Sequence, residues 1–252
     1  MSPPRILVTR PEEGADDLAA LLERRGMDPV RVPTVAIDRD STASAVDAML
    51  ETLDGADWLV LTSANGARAV TARLDGRPLP ARVRIAAVGP ATAAALRSAG
   101  LEVEHMPDEY LTIAIADGLG AVDGSRVVLA RADAATPDLR DALLARGARV
   151  EEVIAYRTIE GPPTSRDRLR VCLTDGLAGV AFTSGSTVRG LMRLTSGIDR
   201  GRARALPAFC IGPVTARAAR DEGFHVPVVA DVHTAIGLAD AIASHFAARD
   251  AR

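Results

Sequence analysis

The chain has 252 residues, a formal net charge of −3 at pH 7 and 48% hydrophobic residues. This length suits two domains, the small negative charge argues against a nucleic-acid binder with a broad basic face, and no apolar run is long enough to cross a bilayer. All 30 basic side chains are arginines, which excludes catalysis through a lysine Schiff base and a lysine-containing phosphate loop. We therefore expect a two-domain cytoplasmic protein.

Short apolar segments alternate with helical segments along the whole chain. The first helix is predicted over Asp16–Arg25, and alanine-rich helical stretches follow the later strands. Continuous apolar strands separated by helices indicate parallel sheets covered on both faces, so the predicted fold is α/β, doubly wound and flavodoxin-like. The predicted strands are Ile6–Thr9, Val30–Pro33, Trp58–Leu61, Arg84–Val88, Glu102–His105, Val127–Ala130, Arg149–Val153, Gly179–Phe182, Ala208–Ile211 and Val226–Val229.

The chain contains an internal duplication. Residues 5–38 correspond to residues 126–160, and residues 57–119 correspond to residues 178–242. The offset is 121 positions at the start of the first pair (126 − 5 = 121). A duplication of this length predicts two similar domains that face one another, with a cleft for a large ligand between them.

Small hydroxyl residues, glycines and arginines follow the predicted strands, at the points where helices begin. Such sheets bind ligands beyond the carboxyl ends of their strands, where free N–H groups and the helix dipole attract anions. Any one of these residues can simply cap a helix, and either arginine can form a strand-end salt bridge, but the matched set predicts a ligand with several anionic groups. The candidate binding residues are Arg10, Thr62, Ser63, Asn65, Gly89, Thr92, Arg131, Thr183, Ser184, Gly212 and Thr215.

Signatures of cofactor and metal chemistry are missing from the sequence. It contains no GxGxxG after the first strand, no GxxxxGK[ST], no GxSxG and no HExxH. The four histidines and two cysteines have no metal-ligand spacing, so we expect neither a cofactor nor a bound metal. Cys210 lies in an apolar strand, which predicts a buried, inert thiol.

A series of short motifs runs in order along residues 5–245, namely Ile6–Pro11, Thr62–Gly66, Ala87–Ala93, Ala155–Thr158, Phe182–Arg189, Ile211–Ala216 and Thr234–Leu238. Together they resemble the uroporphyrinogen-III synthase family. The resemblance implies that the chain starts in one domain, completes the other and then returns. It implies a discontinuous domain of residues 1–36 and 161–252, a second domain of residues 37–160, and a two-stranded hinge formed by Ala36–Ser41 and Arg157–Pro163.

The resemblance also implies an enzyme, a cyclising lyase of tetrapyrrole biosynthesis. Its substrate would be hydroxymethylbilane, a linear tetrapyrrole with eight carboxylate side chains. This substrate loses its terminal hydroxyl as water and closes to uroporphyrinogen III with ring D inverted. Tyr156 would be the catalytic residue that assists departure of the hydroxyl. The implied partners are this small molecule and, transiently, the enzyme that produces it, with no nucleic acid and no membrane, and a monomer is expected.

Three other functions stay open at the level of sequence. A two-lobed binding protein for an anionic metabolite would explain the anion sites but would give Tyr156 no purpose. A non-catalytic tetrapyrrole sensor would bind the same ligand without turnover. A tandem of receiver-like or nucleotide-binding domains is disfavoured, because the sequence has neither clustered aspartates nor a glycine fingerprint.

Overall fold

The computed structural model describes residues 2–109 and 112–250, in which helices and mainly parallel strands alternate. The strands are β1 (Arg5–Val8), β2 (Asp28–Arg31), β3 (Val35–Asp38), β4 (Trp58–Leu61), β5 (Arg84–Ala87), β6 (Arg126–Ala132), β7 (Arg149–Glu160), β8 (Gly179–Phe182), β9 (Ala208–Cys210) and β10 (Val228–Val229). The helices are α1 (Glu12–Glu23), α2 (Ala43–Glu51), α3 (Ala64–Leu74), α4 (Pro90–Arg97), α5 (Ala114–Gly118), α6 (Asp138–Ala145), α7 (Arg166–Thr174), α8 (Gly185–Leu194), α9 (Gly197–Ala205), α10 (Pro213–Asp221) and α11 (Ala235–Asp250).

The chain divides into two compact units. The first contains Met1–Ala36 and Ile159–Arg252, and its five strands lie in the order β10-β9-β8-β1-β2. Leu7 of β1 contributes to a core cluster with α8, whereas its neighbours Ile6 and Val8 contribute to a second cluster with α1 and α11. Because successive residues of a strand point to opposite faces, this sheet is buried on both sides along β1, β8 and β9, whose buried residues are apolar.

The second unit, Ile37–Thr158, has the strand order β3-β7-β6-β4-β5, and β4 is parallel to both β5 and β6. Its two faces also carry separate core clusters, one containing Leu59 and helix α3, the other containing Trp58 and helix α6. Trp58 is 3% exposed, and the Arg84 guanidinium lies 4.1 Å from its ring centroid, so this tryptophan belongs to the core.

The structure differs from the predicted strands in two main places, one strand that is absent and one that is longer, and by one or two residues at other strand ends. The strand predicted over Glu102–His105 is wrong, since this segment forms only a single bridge between His105 and Ala86. Strand β7 continues to Glu160 instead of ending at Val153, and β3 lies beside it. Both β3 and β7 therefore run through the points at which the chain passes from one unit to the other.

A bulge interrupts the pairing of β6 with β7. Arg131 is opposite Ile154, but the next residue, Ala132, is opposite Tyr156. The extra residue breaks the alternation of β7, so that Ala155 and Tyr156 are both buried although they are consecutive. The bulge thus turns the Tyr156 side chain into the protein at the end of the sheet.

Candidate active site

Ser63 and Tyr156 meet at the carboxyl end of β4. The Ser63 hydroxyl accepts a hydrogen bond from the Gly66 N–H at 3.1 Å, which caps α3, and donates one to the Tyr156 hydroxyl at 3.0 Å. Tyr156 is only 8% exposed, and a hydrogen bond in such surroundings is electrostatically stronger than one in water. The fold therefore joins a predicted helix cap to the predicted catalytic residue.

Two arginines surround the side chain of Asn65 in the first turn of α3. Its Oδ1 accepts hydrogen bonds from Arg39 at 3.3 Å and from Arg68 at 3.4 Å. Sequence reasoning missed both arginines, because neither follows a strand in a duplicated motif. They bring positive charge to the same helix end as Ser63, and Thr62 is half-buried directly after β4.

Helices α4 and α10 begin in the same way in the two units. Gly89 and Gly212 are their N-cap residues, each with extended backbone and followed by a proline, and neither helix has a side-chain cap within the described residues. The N–H groups of these first turns are thus left for another acceptor, which makes each helix end suitable for an anion. Thr92 and Thr215 lie in these turns and are each 5% exposed.

Ser184 forms the corresponding cap in the first unit. Its hydroxyl accepts from the Thr187 N–H at 3.3 Å, and the Thr187 hydroxyl accepts from the Ser184 N–H at 3.4 Å, a reciprocal capping box. The Ser186 hydroxyl lies 2.8 Å from that of Ser184. Thr183 is half-buried at the end of β8, so three hydroxyl side chains gather at the start of α8.

The two candidate arginines have different surroundings. Arg10 is half-buried and forms no hydrogen bond or ion pair in the described parts of the chain, so its charge is available to a ligand. Arg131 is 3% exposed, pairs with Glu152 at 2.6 Å and donates to the Thr136 carbonyl. These contacts give Arg131 the strand-end salt bridge that the sequence had left as an alternative.

The carboxylates at the carboxyl ends of β3 and β6 are held by neighbouring groups. Hydrogen bonds from Ser41 are the main cause that lowers the pKa of Asp38, with a smaller contribution from the charge of Arg157. Asp133 accepts from the Thr158 N–H at 3.3 Å and lies 3.8 Å from Arg157. Asp38 is therefore ionised at neutral pH and is unsuited to donate a proton.

Both thiols are buried, as the sequence predicted for Cys210. Burial raises the pKa of Cys210 to about 12 and also raises that of Cys172. Among the described residues, no group of three or more histidine, cysteine or carboxylate side chains is placed to hold a metal ion. Nor does any helix within those residues have the length and apolar character needed to span a membrane.

Comparison with known proteins relates most of the chain to one family. Residues 16–240 match the family model of uroporphyrinogen-III synthase HemD. The chain is 29% identical over 246 residues to the uroporphyrinogen-III synthase of Synechococcus elongatus, covering 94% of this chain and 93% of that protein. It is also 29% identical over 244 residues to the porphyrin biosynthesis protein HemD of Ruminiclostridium josui, and there it spans 47% of the relative's length.

Solved structures agree at the level of fold. A mutant uroporphyrinogen III synthase from the extremely thermophilic bacterium Thermus thermophilus gives a TM-score of 0.61 at 22% identity, covering 99% of this chain and 100% of that one. The uroporphyrinogen-III synthetase of Helicobacter pylori 26695 gives 0.59 at 15% identity, covering 96% and 99%. These likenesses establish an α/β fold with parallel sheets. Because the family model covers most of its length, the chain belongs to the uroporphyrinogen-III synthase family.

Proposed function

We propose that the protein is a uroporphyrinogen-III synthase, a cyclising lyase that converts hydroxymethylbilane into uroporphyrinogen III. The observation that carries the proposal is the part-buried hydrogen bond between Ser63 and Tyr156, next to helix N-termini that suit anions. A phenol beside several anion sites fits a substrate that combines eight carboxylates with one leaving hydroxyl. No cofactor takes part in the proposed reaction.

Binding of the substrate carboxylates is assigned to the carboxyl edges of both sheets. The proposed contacts are Arg10, Thr62, Ser63, Asn65, Gly89, Thr92, Thr183, Ser184, Gly212 and Thr215, with Arg131 supporting the end of β6 through Glu152. The uncapped starts of α4 and α10 support this assignment, because their N–H groups can bind a carboxylate. The arginines that donate to Asn65 support it through their charge.

Tyr156 assists the first chemical step. The terminal C–O bond of the substrate breaks, the N–H of the same pyrrole gives up its proton as the azafulvene forms, and the hydroxyl leaves with that proton as water. A hydrogen bond from the phenol stabilises the departing oxygen. Since a phenol is a weak acid, its contribution is assistance without complete proton transfer. Ring closure without inversion of ring D occurs unaided, so the remaining task of the protein is to hold the chain of pyrroles in the conformation that leads to inversion.

The proposal includes the domain arrangement of residues 1–36 with 161–252 and residues 37–160 as two flavodoxin-like domains joined by a two-stranded hinge. The strand order supports it, since β2-β1-β8-β9-β10 is the order 2-1-3-4-5 counted along the first unit. A cytoplasmic location, a monomeric state and a transient contact with the enzyme that supplies the substrate belong to the same proposal.

The substitution Tyr156→Phe tests the assigned role of the phenol. Hydroxymethylbilane is generated in situ, and the uroporphyrin I and III isomers are resolved after oxidation. We expect kcat for type III to fall about 100-fold, the lower end for loss of a general acid, with KM little changed and a larger share of type I. Unchanged kcat and unchanged isomer ratio would remove Tyr156 from the mechanism.

A further inference from the structure

The Ser63 hydroxyl has both of its hydrogen-bonding roles occupied. A serine hydroxyl carries one proton, and here that proton is donated to the Tyr156 oxygen while the Ser63 oxygen accepts from the Gly66 N–H. Tyr156 therefore acts as acceptor toward Ser63, and its own proton is left for another acceptor. The positive end of α3 lies behind this series of hydrogen bonds and polarises it toward Tyr156.

The backbone around Tyr156 holds the ring in this position. Its carbonyl accepts from the Asp133 N–H at 3.2 Å, and the preceding carbonyl, of Ala155, accepts from the Thr42 hydroxyl at 2.9 Å. The ring lies against Gly66, where an added Cβ would be 3.8 Å from the Tyr156 Cε1 and 3.1 Å from the Ala130 carbonyl oxygen. A larger residue at this position would press on the backbone of β6, the strand that pairs with the one carrying Tyr156.

The duplication provides an internal comparison for this arrangement. Ser184 is the counterpart of Ser63 (184 − 63 = 121), and at the same offset Tyr156 corresponds to Val35 (156 − 121 = 35). Gly66 corresponds to Thr187 (66 + 121 = 187), which completes the capping box of α8. The first unit thus keeps the serine cap without a phenol, so capping alone does not require the contact between Ser63 and Tyr156.

We propose that Ser63 is a positioning residue for catalysis, whose donated hydrogen bond directs the Tyr156 proton toward the leaving hydroxyl of the substrate. This inference rests on the proposed synthase function and replaces the side-chain contact of Ser63 with a substrate carboxylate, because the one hydroxyl proton of Ser63 is donated to Tyr156. A hydrogen bond donated to the phenol oxygen stabilises negative charge that develops there as the phenol shares its proton. Ser63 therefore acts through Tyr156 and affects the rate of the chemical step more than binding.

A double-mutant cycle tests this role. Ser63→Gly removes the hydroxyl, and glycine is tolerated at an N-cap nearly as well as serine, whereas Ser63→Thr keeps the hydroxyl. We expect Ser63→Gly to lower kcat about tenfold with little change in KM, because it removes one hydrogen bond to a group that gains charge. Ser63→Thr should retain most of the kcat of the unsubstituted protein. In the Tyr156→Phe background, Ser63→Gly should have no further effect on kcat.

Ser184→Gly serves as the matched variant, because it removes the corresponding serine cap where no tyrosine is present. Its effect should fall on KM and should be the same with and without Tyr156. Independent, additive effects of Ser63→Gly and Tyr156→Phe on kcat, or a change in KM alone, would overturn the positioning role while leaving the synthase function intact. If the unsubstituted protein yields only type I at the uncatalysed rate, the proposed function and this inference both fail.

Discussion

Gly190 allows helix α8 to pack directly on the two chain segments that lead out of the first unit. A Cβ added at Gly190 would lie 1.9 Å from the Thr34 carbonyl oxygen and 3.2 Å from the Gly161 nitrogen. These two backbone groups are hydrogen-bonded to each other at 2.8 Å, and the Thr34 hydroxyl donates to the Thr187 carbonyl of α8 at 2.8 Å. The substitution Gly190→Ala cannot be accommodated without moving Thr34 away from the helix.

The expected loss of stability follows from these contacts. Each of the two buried hydrogen bonds contributes about 1 kcal/mol, and overpacking against backbone adds about 1–3 kcal/mol. The better helix propensity of alanine returns about 1 kcal/mol. We therefore expect Gly190→Ala to lower the free energy of unfolding by about 2–4 kcal/mol, which for a chain of this size lowers Tm by about 5–15 °C.

Urea unfolding followed by circular dichroism measures this loss, with Gly201→Ala as the matched control. Gly201 lies within α9, and an added Cβ there meets no atom within 4 Å. The same substitution should therefore stabilise the protein by about 0.5–1 kcal/mol. A Gly190→Ala variant as stable as the Gly201→Ala variant would refute the close packing of α8 on Thr34 and Gly161.

Three further substitutions or treatments have defined outcomes. The hydrogen bond from the Arg126 N–H is the main cause that lowers the pKa of Asp57 below 3.8. The ionised Asp57 carboxylate therefore stabilises the folded protein above pH 3.8, and this stabilisation is lost as the pH falls through the lowered pKa. Asp57→Asn should thus be less stable than the unsubstituted protein at about pH 7, and the difference should shrink toward about pH 2 in urea unfolding; a difference independent of pH would contradict this. Cys210, with its raised pKa, should react with a thiol reagent only in unfolded protein, and rapid labelling of native protein would show that its burial is wrong. Gly66→Ala places a methyl group 3.1 Å from the Ala130 carbonyl oxygen and should lower kcat several-fold with KM retained. An unchanged kcat would show that the position of the Tyr156 ring does not depend on a glycine at residue 66.

The sequence was informative where function and fold depend on local patterns. Ser63 and Ser184 are helix caps in the structure because they follow apolar strands and precede helical segments, a relation visible in the sequence. The duplicated Gly-Pro pairs likewise mark the starts of α4 and α10. Local pattern also misled in one place, since Glu102–His105 has the alternation of a strand but forms only one bridge.

Long-range pairing could not be read from the sequence. The bulge that buries Tyr156 depends on how β6 and β7 align, and two residues on one strand oppose one on the other only in the folded sheet. The partner of Arg131, Glu152, lies on the neighbouring strand, so the choice between ligand contact and salt bridge required the structure. The contact between Ser63 and Tyr156 likewise joins residues 93 positions apart.

The most direct test of the proposed function is the isomer composition formed by the unsubstituted protein. Hydroxymethylbilane is generated in situ with and without the protein, and the uroporphyrin isomers are separated after oxidation. We expect predominantly type III in the presence of the protein and type I in its absence. Type I alone at the uncatalysed rate would contradict synthase activity, and tight binding of uroporphyrinogen III in the same sample would instead support a tetrapyrrole-binding protein without turnover.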